Sequence, residues 1–339
     1  MTGRAGILFE KHKHRYNMKE HLEFLDSVHV NLTQGGMLLV NFILAFVMFG
    51  VALGIKVHTL KNVFKKPTSV IIGLVAQWVA LPALTCLLAI VLNPIITPMI
   101  AIGMILVASC PGGNMSNFLS AHSKGNVELS VSLTAVTTLF ASIITPLNFW
   151  FWGSHYVRFA EIKKTLPVLE IPFGDMLSQI ILILGFPIIL GILVSNYFPK
   201  FAKKLTKPTS FLSIILFIGM VVVSVSQVLS GFEQRWEVYM GILVCLLVVV
   251  IHNAMALSTG YFLGKKANLP VRDRRSLTIE TGIQNSGLGL ALLLNPAIFP
   301  PEQWKDNAGM VIVTALWGVW HIVSGLTTAT IFRRSPLKD

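Results

Sequence analysis

Long apolar runs alternate with short polar stretches along this chain. Nine runs, roughly 35–55, 68–92, 98–122, 126–152, 175–197, 209–230, 238–263, 276–294 and 308–331, stand out. Each reaches the length of about 20 residues that an α-helix needs to cross a hydrocarbon layer. The pattern predicts an all-α polytopic membrane protein with nine transmembrane helices. Two of the runs are interrupted. Residues 109–117 read Ser-Cys-Pro-Gly-Gly-Asn-Met-Ser-Asn, and residues 280–287 read Glu-Thr-Gly-Ile-Gln-Asn-Ser-Gly. Pro and paired Gly loosen a helix, and a carboxylate at mid-bilayer costs about 2.5–3.5 kcal/mol even on permissive scales, so a purely lipid-facing helix has no use for either string. They mark a binding site.

The two breaks also suggest a repeat. Gly113-Asn-Met-Ser-Asn117 matches Gly282-Ile-Gln-Asn-Ser286 in order, and the runs that follow carry Leu133-Thr-Ala135 and Val313-Thr-Ala315. The matched runs cross in opposite directions, which makes the halves inverted relative to each other, as in transporters whose discontinuous helices meet near the midplane. Four runs against five imply that the first helix of the first repeat is absent. Ahead of the first run, residues 1–34 form a polar arm in which Met18, Leu22, Leu25, Val28 and Leu32 recur at helical spacing. The expectation is a short amphipathic helix on the membrane surface.

Composition fits this picture. Of 339 residues 54% are hydrophobic and 12% charged, with a mean hydropathy of +0.71, outside the range of soluble domains. The net charge of +12 does not point to nucleic acid, because Lys and Arg sit in short clusters between apolar runs. Connections after the odd-numbered runs, together with the tail at 332–339, hold 17 of the 27 basic residues, and the opposite side holds 11 of the 15 acidic ones. The positive-inside rule then puts the N-terminal arm outside a cell membrane and the tail in the cytoplasm. Cys86, Cys110 and Cys245 lie inside apolar runs without disulfide or zinc spacing and are expected to be packing residues. An enzyme is not expected: the runs carry no aspartate pair, no His-Glu-x-x-His and no Ser/His pair with an orienting group.

A hard cation such as Na⁺ takes oxygen ligands, and the breaks supply them. Ser116 and Asn117 lie in the first break, Ser130 and Thr134 are four apart on the next run, and Glu280 brings a negative charge. Gln284, with Gln77 from the second run, offers a second site sharing that carboxylate. Two monovalent cations against one Glu leave a positive charge, which favours an anionic substrate. The competing reading makes Glu280 the proton carrier of a proton-coupled transporter or channel. His252 and His321 are expected to be neutral and hydrogen-bonded.

The strings Ser109-Cys-Pro-Gly-Gly, Ser116-Asn117, Gly125-Asn126-Val127, Thr134-Ala-Val136, Glu280 with Gln284-Asn-Ser-Gly287, and Val319-Trp-His321 together resemble the bile acid:sodium symporter family over about residues 35–332. The resemblance implies five-helix inverted repeats arranged as a panel domain (35–55 and 175–230) beside a core domain (68–152 and 238–331) that contains two crossed discontinuous helices. It implies two transported Na⁺ ions. The first would be held by Ser116, Asn117, Ser130, Thr134 and Glu280, the second by Gln77, Glu280, Gln284 and the carbonyls of Thr281 and Ile283. An organic anion, such as a bile acid or a small carboxylate like pantoate, would meet Asn114, Asn285 and His321 in the crevice between core and panel. The partners implied are that anion, sodium and the lipid bilayer, with no nucleic acid and no obligate protein partner.

Overall fold

The computed structural model describes residues 18–26, 34–55, 67–113, 115–159, 173–230, 236–296, 298–300, 304 and 307–337. Asn114 and the Lys56, Lys61, Lys65 and Lys66 connection lie outside the described residues, as do Val28 and Leu32. What is described is all helical, apart from one isolated backbone bridge. The helices are α1 (Met18–Asp26), α2 (Gln34–Leu53), α3 (Pro67–Val75), α4 (Leu81–Leu92), α5 (Pro98–Ser109), α6 (Met115–His122), α7 (Val127–Leu139) and α8 (Ala141–Phe159). Then come α9 (Phe173–Ile180), α10 (Phe186–Tyr197), α11 (Pro199–Ser230), α12 (Trp236–Lys266), α13 (Val271–Gly282), α14 (Ser286–Leu293) and α15 (Ala308–Arg334). Two π-helical segments, Ala76–Ala80 and Ile181–Gly185, join α3 to α4 and α9 to α10.

Among the described residues, four continuous helical stretches, Pro67–Leu92, Leu177–Tyr197, Val238–Lys266 and Ala308–Arg334, are long and apolar enough to cross a membrane. A fifth is added if α7 and α8, bent by 75° at Phe140, count as one span. The runs at 98–122 and 276–294 do not qualify because each is split, into α5 and α6 and into α13 and α14, so neither half has the length. α11 begins ten residues before the run expected at 209, taking in Lys200, Lys203, Lys204 and Lys207, which sequence assigned to a connection. A hydropathy window sees only the hydrocarbon-compatible part of a helix, and the basic turns extend beyond it.

α5 is buried on every side from Met99 to Ser109, which its uniformly apolar sequence requires. Thr97 caps its start, its hydroxyl accepting from Ile100 N at 3.4 Å, and Pro98 occupies the first turn where no amide partner is needed. α2 packs chiefly on α10 and α11. The approach to α10 is close: a Cβ on Gly191 would stand 2.8 Å from the Phe49 carbonyl oxygen. α12 packs chiefly on α13 and α15. Leu38, Phe42, Ile71, Val79, Leu182 and Phe186 lie exposed on outer faces, a distribution suited to lipid contact.

The amphipathic helix is present as α1, but it does not lie free on a surface. Leu22 and Leu25 are fully buried, and α1 packs against α12 and α15. The same apolar stripe that would enter a headgroup layer finds protein instead. Cys86, Cys110 and Cys245 are free and buried.

Candidate functional site

Both breaks end a helix in extended backbone. α5 gives way at Cys110 (ψ 156°) ahead of Pro111, and α13 gives way at Ile283 (φ −113°, ψ 90°) after Gly282. The freed segments then pair with each other. Gly113 N donates to Ile283 O at 2.7 Å, Asn285 N donates to Pro111 O at 2.8 Å, and Gly112 and Gln284 form an antiparallel bridge. An unpaired amide costs several kcal/mol in a hydrocarbon environment, so each break repairs the other.

Beside this bridge Glu280 is fully buried. Ser116 Oγ donates to its Oε1 at 2.5 Å, Ser130 Oγ donates to the same oxygen, and Thr134 Oγ1 lies 3.1 Å from both carboxylate oxygens. Asn117 closes the group: its Oδ1 lies 2.9 Å from Ser130 Oγ and 3.4 Å from Thr134 Oγ1, competing with Glu280 for their single protons. The structure therefore gathers Ser116, Asn117, Ser130, Thr134 and Glu280 from α6, α7 and α13 into one contiguous cluster of oxygens. Three hydroxyls hydrogen-bond the carboxylate and the Gln77 amide stands beside it, and among the described residues no three His, Cys, Asp or Glu side chains come together to hold a metal ion. A single carboxylate among neutral oxygens suits a hard monovalent cation better than a transition metal.

The second expected group surrounds Gly112. Its hydrogen-only side lets Glu280 Oε2 and Gln77 Oε1 approach to within 2.9 and 3.2 Å of where a Cβ would be. Gln77 is carried on the π-helical segment Ala76–Ala80, a local widening that shifts the facing of the residues it contains. Gln284 is anchored through Nε2 to Thr281 O at 2.9 Å. Both amide groups of Gln77 and the Gln284 oxygen are buried without a hydrogen bond among the described residues. Each such buried polar group left unpaired costs about 1–3 kcal/mol, which a ligand would recover. The carbonyls of Thr281 and Ile283 each already accept one bond, from Gln284 and Gly113, and keep a second lone pair.

The expected substrate residues are less uniform. Asn285 Oδ1 is committed as the N-cap of α14, accepting from Leu288 N at 3.0 Å, so only its amide NH₂ is available to an acceptor. His321 is buried and its Nδ1 has no partner among the described residues, against the expectation of a hydrogen-bonded ring. Trp317 Nε1 and Thr314 Oγ1, on the same face of α15, are unpartnered too. His252 meets the expectation, with Nε2 2.8 Å from Thr85 Oγ1.

Sequence reasoning missed Asn253. Its Nδ2 donates to Gly282 O at 2.8 Å, taking up a carbonyl freed where α13 ends, and its Oδ1 accepts from Ser324 Oγ at 2.5 Å. An amide inside the apolar run 238–263 was the available signal, and it stands next to the His252 that drew notice.

Comparison with known proteins fits this geometry. A family model described as the Sodium Bile acid symporter family matches residues 41–235. The chain is 33% identical over 299 residues to the "Uncharacterized sodium-dependent transporter YocS" of Bacillus subtilis (strain 168), covering 88% of this chain and 84% of that protein. It is 29% identical over 279 residues to the "Probable sodium/metabolite cotransporter BASS2, chloroplastic" of Oryza sativa subsp. japonica, covering 81% of this chain and 61% of that protein. With the "Ileal sodium/bile acid cotransporter" of Mus musculus it shares 27% identity over 248 residues, covering 73% of this chain and 66% of that protein.

Proposed function

The chain belongs to the sodium bile acid symporter family, and on that premise we propose that this multi-pass membrane protein is a sodium-coupled symporter of an organic anion, such as a bile acid or a small carboxylate like pantoate. The observation that carries the reading is Glu280, buried with three hydroxyls hydrogen-bonded to it and no basic side chain in that ring of partners. Removing an ionised carboxylate from water costs several kcal/mol even after relaxation. Hydrogen bonds to a charged group return about 1.5–3 kcal/mol each, so the hydroxyls offset much of that cost without neutralising the charge. A sodium ion supplies the missing charge. On its arrival each hydroxyl rotates its proton outward and offers a lone pair, so the groups that now stabilise Glu280 become ligands.

In this reading the first ion joins Ser116, Asn117, Ser130 and Thr134 to Glu280, and so draws α6, α7 and α13 together. The second takes Gln77 and Gln284 with Glu280 and the Thr281 and Ile283 carbonyls. One carboxylate against two ions leaves a positive charge, and the Asn285 NH₂ provides a donor beside it for an anion, with His321 and Asn114 completing that site. The scaffold is nine spans in inverted repeats, one helix short in the first. The panel of 35–55 and 175–230 stays beside a core of 68–152 and 238–331 that moves to alternate access, with the N-terminus outside the cell membrane and the tail in the cytoplasm.

The test is a thermal-stability screen of small organic anions on the purified full chain, in sodium and in choline at equal ionic strength. Sodium-symport requires anions that stabilise only when sodium is present. Stabilisation that persists in choline and follows pH would instead make Glu280 a proton carrier.

A further inference from the structure

The string Gly125-Asn126-Val127 has no part in either ion group, yet it ties the start of α7 to α13 by three hydrogen bonds. Asn126 engages α13 with three of its groups. Its backbone N donates to Arg272 O at 3.0 Å, its carbonyl accepts from Ser276 Oγ at 2.8 Å, and its Nδ2 donates to Asp273 Oδ1 at 2.7 Å. Its remaining group, Oδ1, caps α7 by accepting from Leu129 N at 3.1 Å. Asp273, 2% exposed, also accepts through Oδ2 from Ser69 Oγ of α3 at 2.7 Å. Gly125 permits this approach: a Cβ there would stand 2.6 Å from Ser276 Oγ and 3.1 Å from Ser120 O.

Each of these three helices delivers an ion ligand, alongside α6 with Ser116 and Asn117. α3 leads into the segment with Gln77, α7 carries Ser130 and Thr134, and α13 carries Glu280. Glu280 lies seven residues beyond Asp273, two turns along the same face and about 10 Å further on. Ser130 and Thr134 lie one and two turns beyond Asn126. A slip of α7 against α13 by one residue moves its side chains by about 1.5 Å, which stretches the 3.1 Å contacts of Thr134 to about 3.4 Å, beyond the usual O–H···O range. Register set at the first turns is therefore read out at the carboxylate.

We propose that Asn126 and Asp273 are positioning residues for sodium binding: their clasp, with Ser69 and Ser276, fixes the axial register of α3 and α7 against α13 and so holds Gln77, Ser130 and Thr134 on Glu280. The proposal rests on the sodium reading of Glu280. The clasp forms part of the wall of a cavity of about 520 Å³.

The experiment titrates the thermal stability of the purified full chain with sodium chloride against choline chloride. Asp273→Asn, which sets an amide against the Asn126 amide, and Asn126→Asp, which sets two carboxylates together, should each raise the sodium midpoint by about fivefold or more. The double variant Asn126→Asp with Asp273→Asn again opposes one amide donor to one carboxylate and keeps a capping oxygen on α7. It should return the midpoint to within about twofold of the unmodified chain. Ser69→Ala removes a single bond, leaves the fold intact if the others do not, and should shift the midpoint by about two- to threefold. A purely structural clasp lowers the melting temperature equally in both salts and leaves the midpoint in place. That result, or a double variant no better than the singles, overturns the proposal. An unmodified chain that sodium fails to stabilise overturns the sodium reading itself, and the clasp's role with it.

Discussion

Gly112→Ala tests whether a second ion shares Glu280. An alanine methyl would stand 2.9 Å from Glu280 Oε2 and 3.2 Å from Gln77 Oε1, both inside ordinary contact distance. Glu280 cannot retreat, because Ser116, Ser130 and Thr134 hold it from the other side. Gln77 can, since its amide has no hydrogen bond among the described residues. Without sodium, swinging Gln77 aside clears the space into which the methyl can shift away from Glu280. With sodium, Gln77 and Glu280 must both face the ion, and the strain falls on that state. Overpacking of this kind costs about 1–3 kcal/mol, which weakens binding by about 5- to 150-fold. At a sodium concentration 100 times its dissociation constant, the ion adds about 2.7 kcal/mol of stability, and a thirtyfold weaker site retains about 0.9 kcal/mol at the same concentration. The assay is the melting temperature of the full chain as sodium replaces choline. Gly103→Ala is the control, because its methyl meets Val313 Cγ1 at 2.6 Å in the packing of α5 on α15, away from the carboxylate. It should lower stability in both salts equally. A Gly112→Ala midpoint within about twofold of the unmodified chain would refute the shared second site.

Glu280→Ala should abolish both sodium stabilisation and sodium-driven uptake while the protein still reaches the membrane; uptake that remains sodium-dependent in proteoliposomes would remove Glu280 from the ion site. Asn285→Ala should cost α14 its cap, about 0.5–2 kcal/mol, and weaken anion binding while sodium still raises the melting temperature; loss of both responses would move Asn285 into the ion site. Asn253→Ala leaves Gly282 O and Ser324 Oγ without the partner they now share, and should lower stability by about 1–3 kcal/mol. An unchanged melting temperature would show that the end of α13 is satisfied in some other way. Asn295 Nδ2 donates to Asn41 Oδ1 at 2.8 Å, joining α2 to the end of α14. If α2 and α14 move apart during transport, a disulfide between cysteines placed at 41 and 295 should halt uptake until reduced, and uptake that continues through the cross-link would show that they stay together.

The polar breaks were legible because polar and helix-breaking residues are expensive in an apolar run, and that expense is visible without a partner. Ser116, Ser130, Thr134 and Glu280 could be grouped by asking which side chains supply oxygens. What sequence could not supply was the second half of each pairing. Gln77 could be offered as a second-site ligand for its oxygen, but not the π-helical segment that carries it, because a one-residue widening leaves no compositional trace. Asn285 is expected to face substrate, and sequence did not show that its oxygen also caps α14, a role decided by the exact residue at which the helix restarts. Asp273 sits among Arg272, Arg274 and Arg275 and looks solvent-facing in sequence, yet it is buried against Ser69 and Asn126, more than 140 residues away along the chain. Helix ends depend on tertiary contacts that hydrophobic periodicity does not carry.

The bridge between Gly112 and Gln284 has one further consequence. Around it the amides of Gly113, Ser116, Asn285 and Ser286 are all donated, to Ile283, Gly113, Pro111 and Gln284 respectively. With those N–H groups taken, the backbone capacity left at the junction is in carbonyl lone pairs, and the free donors are side-chain amides, Gln77 Nε2 and the Asn285 NH₂. The pairing that mends two broken helices therefore divides the labour by atom type. Backbone and hydroxyl oxygens gather around Glu280 where a cation would sit, and the recognition of an anion is left to side chains, which can differ between relatives without disturbing the bridge.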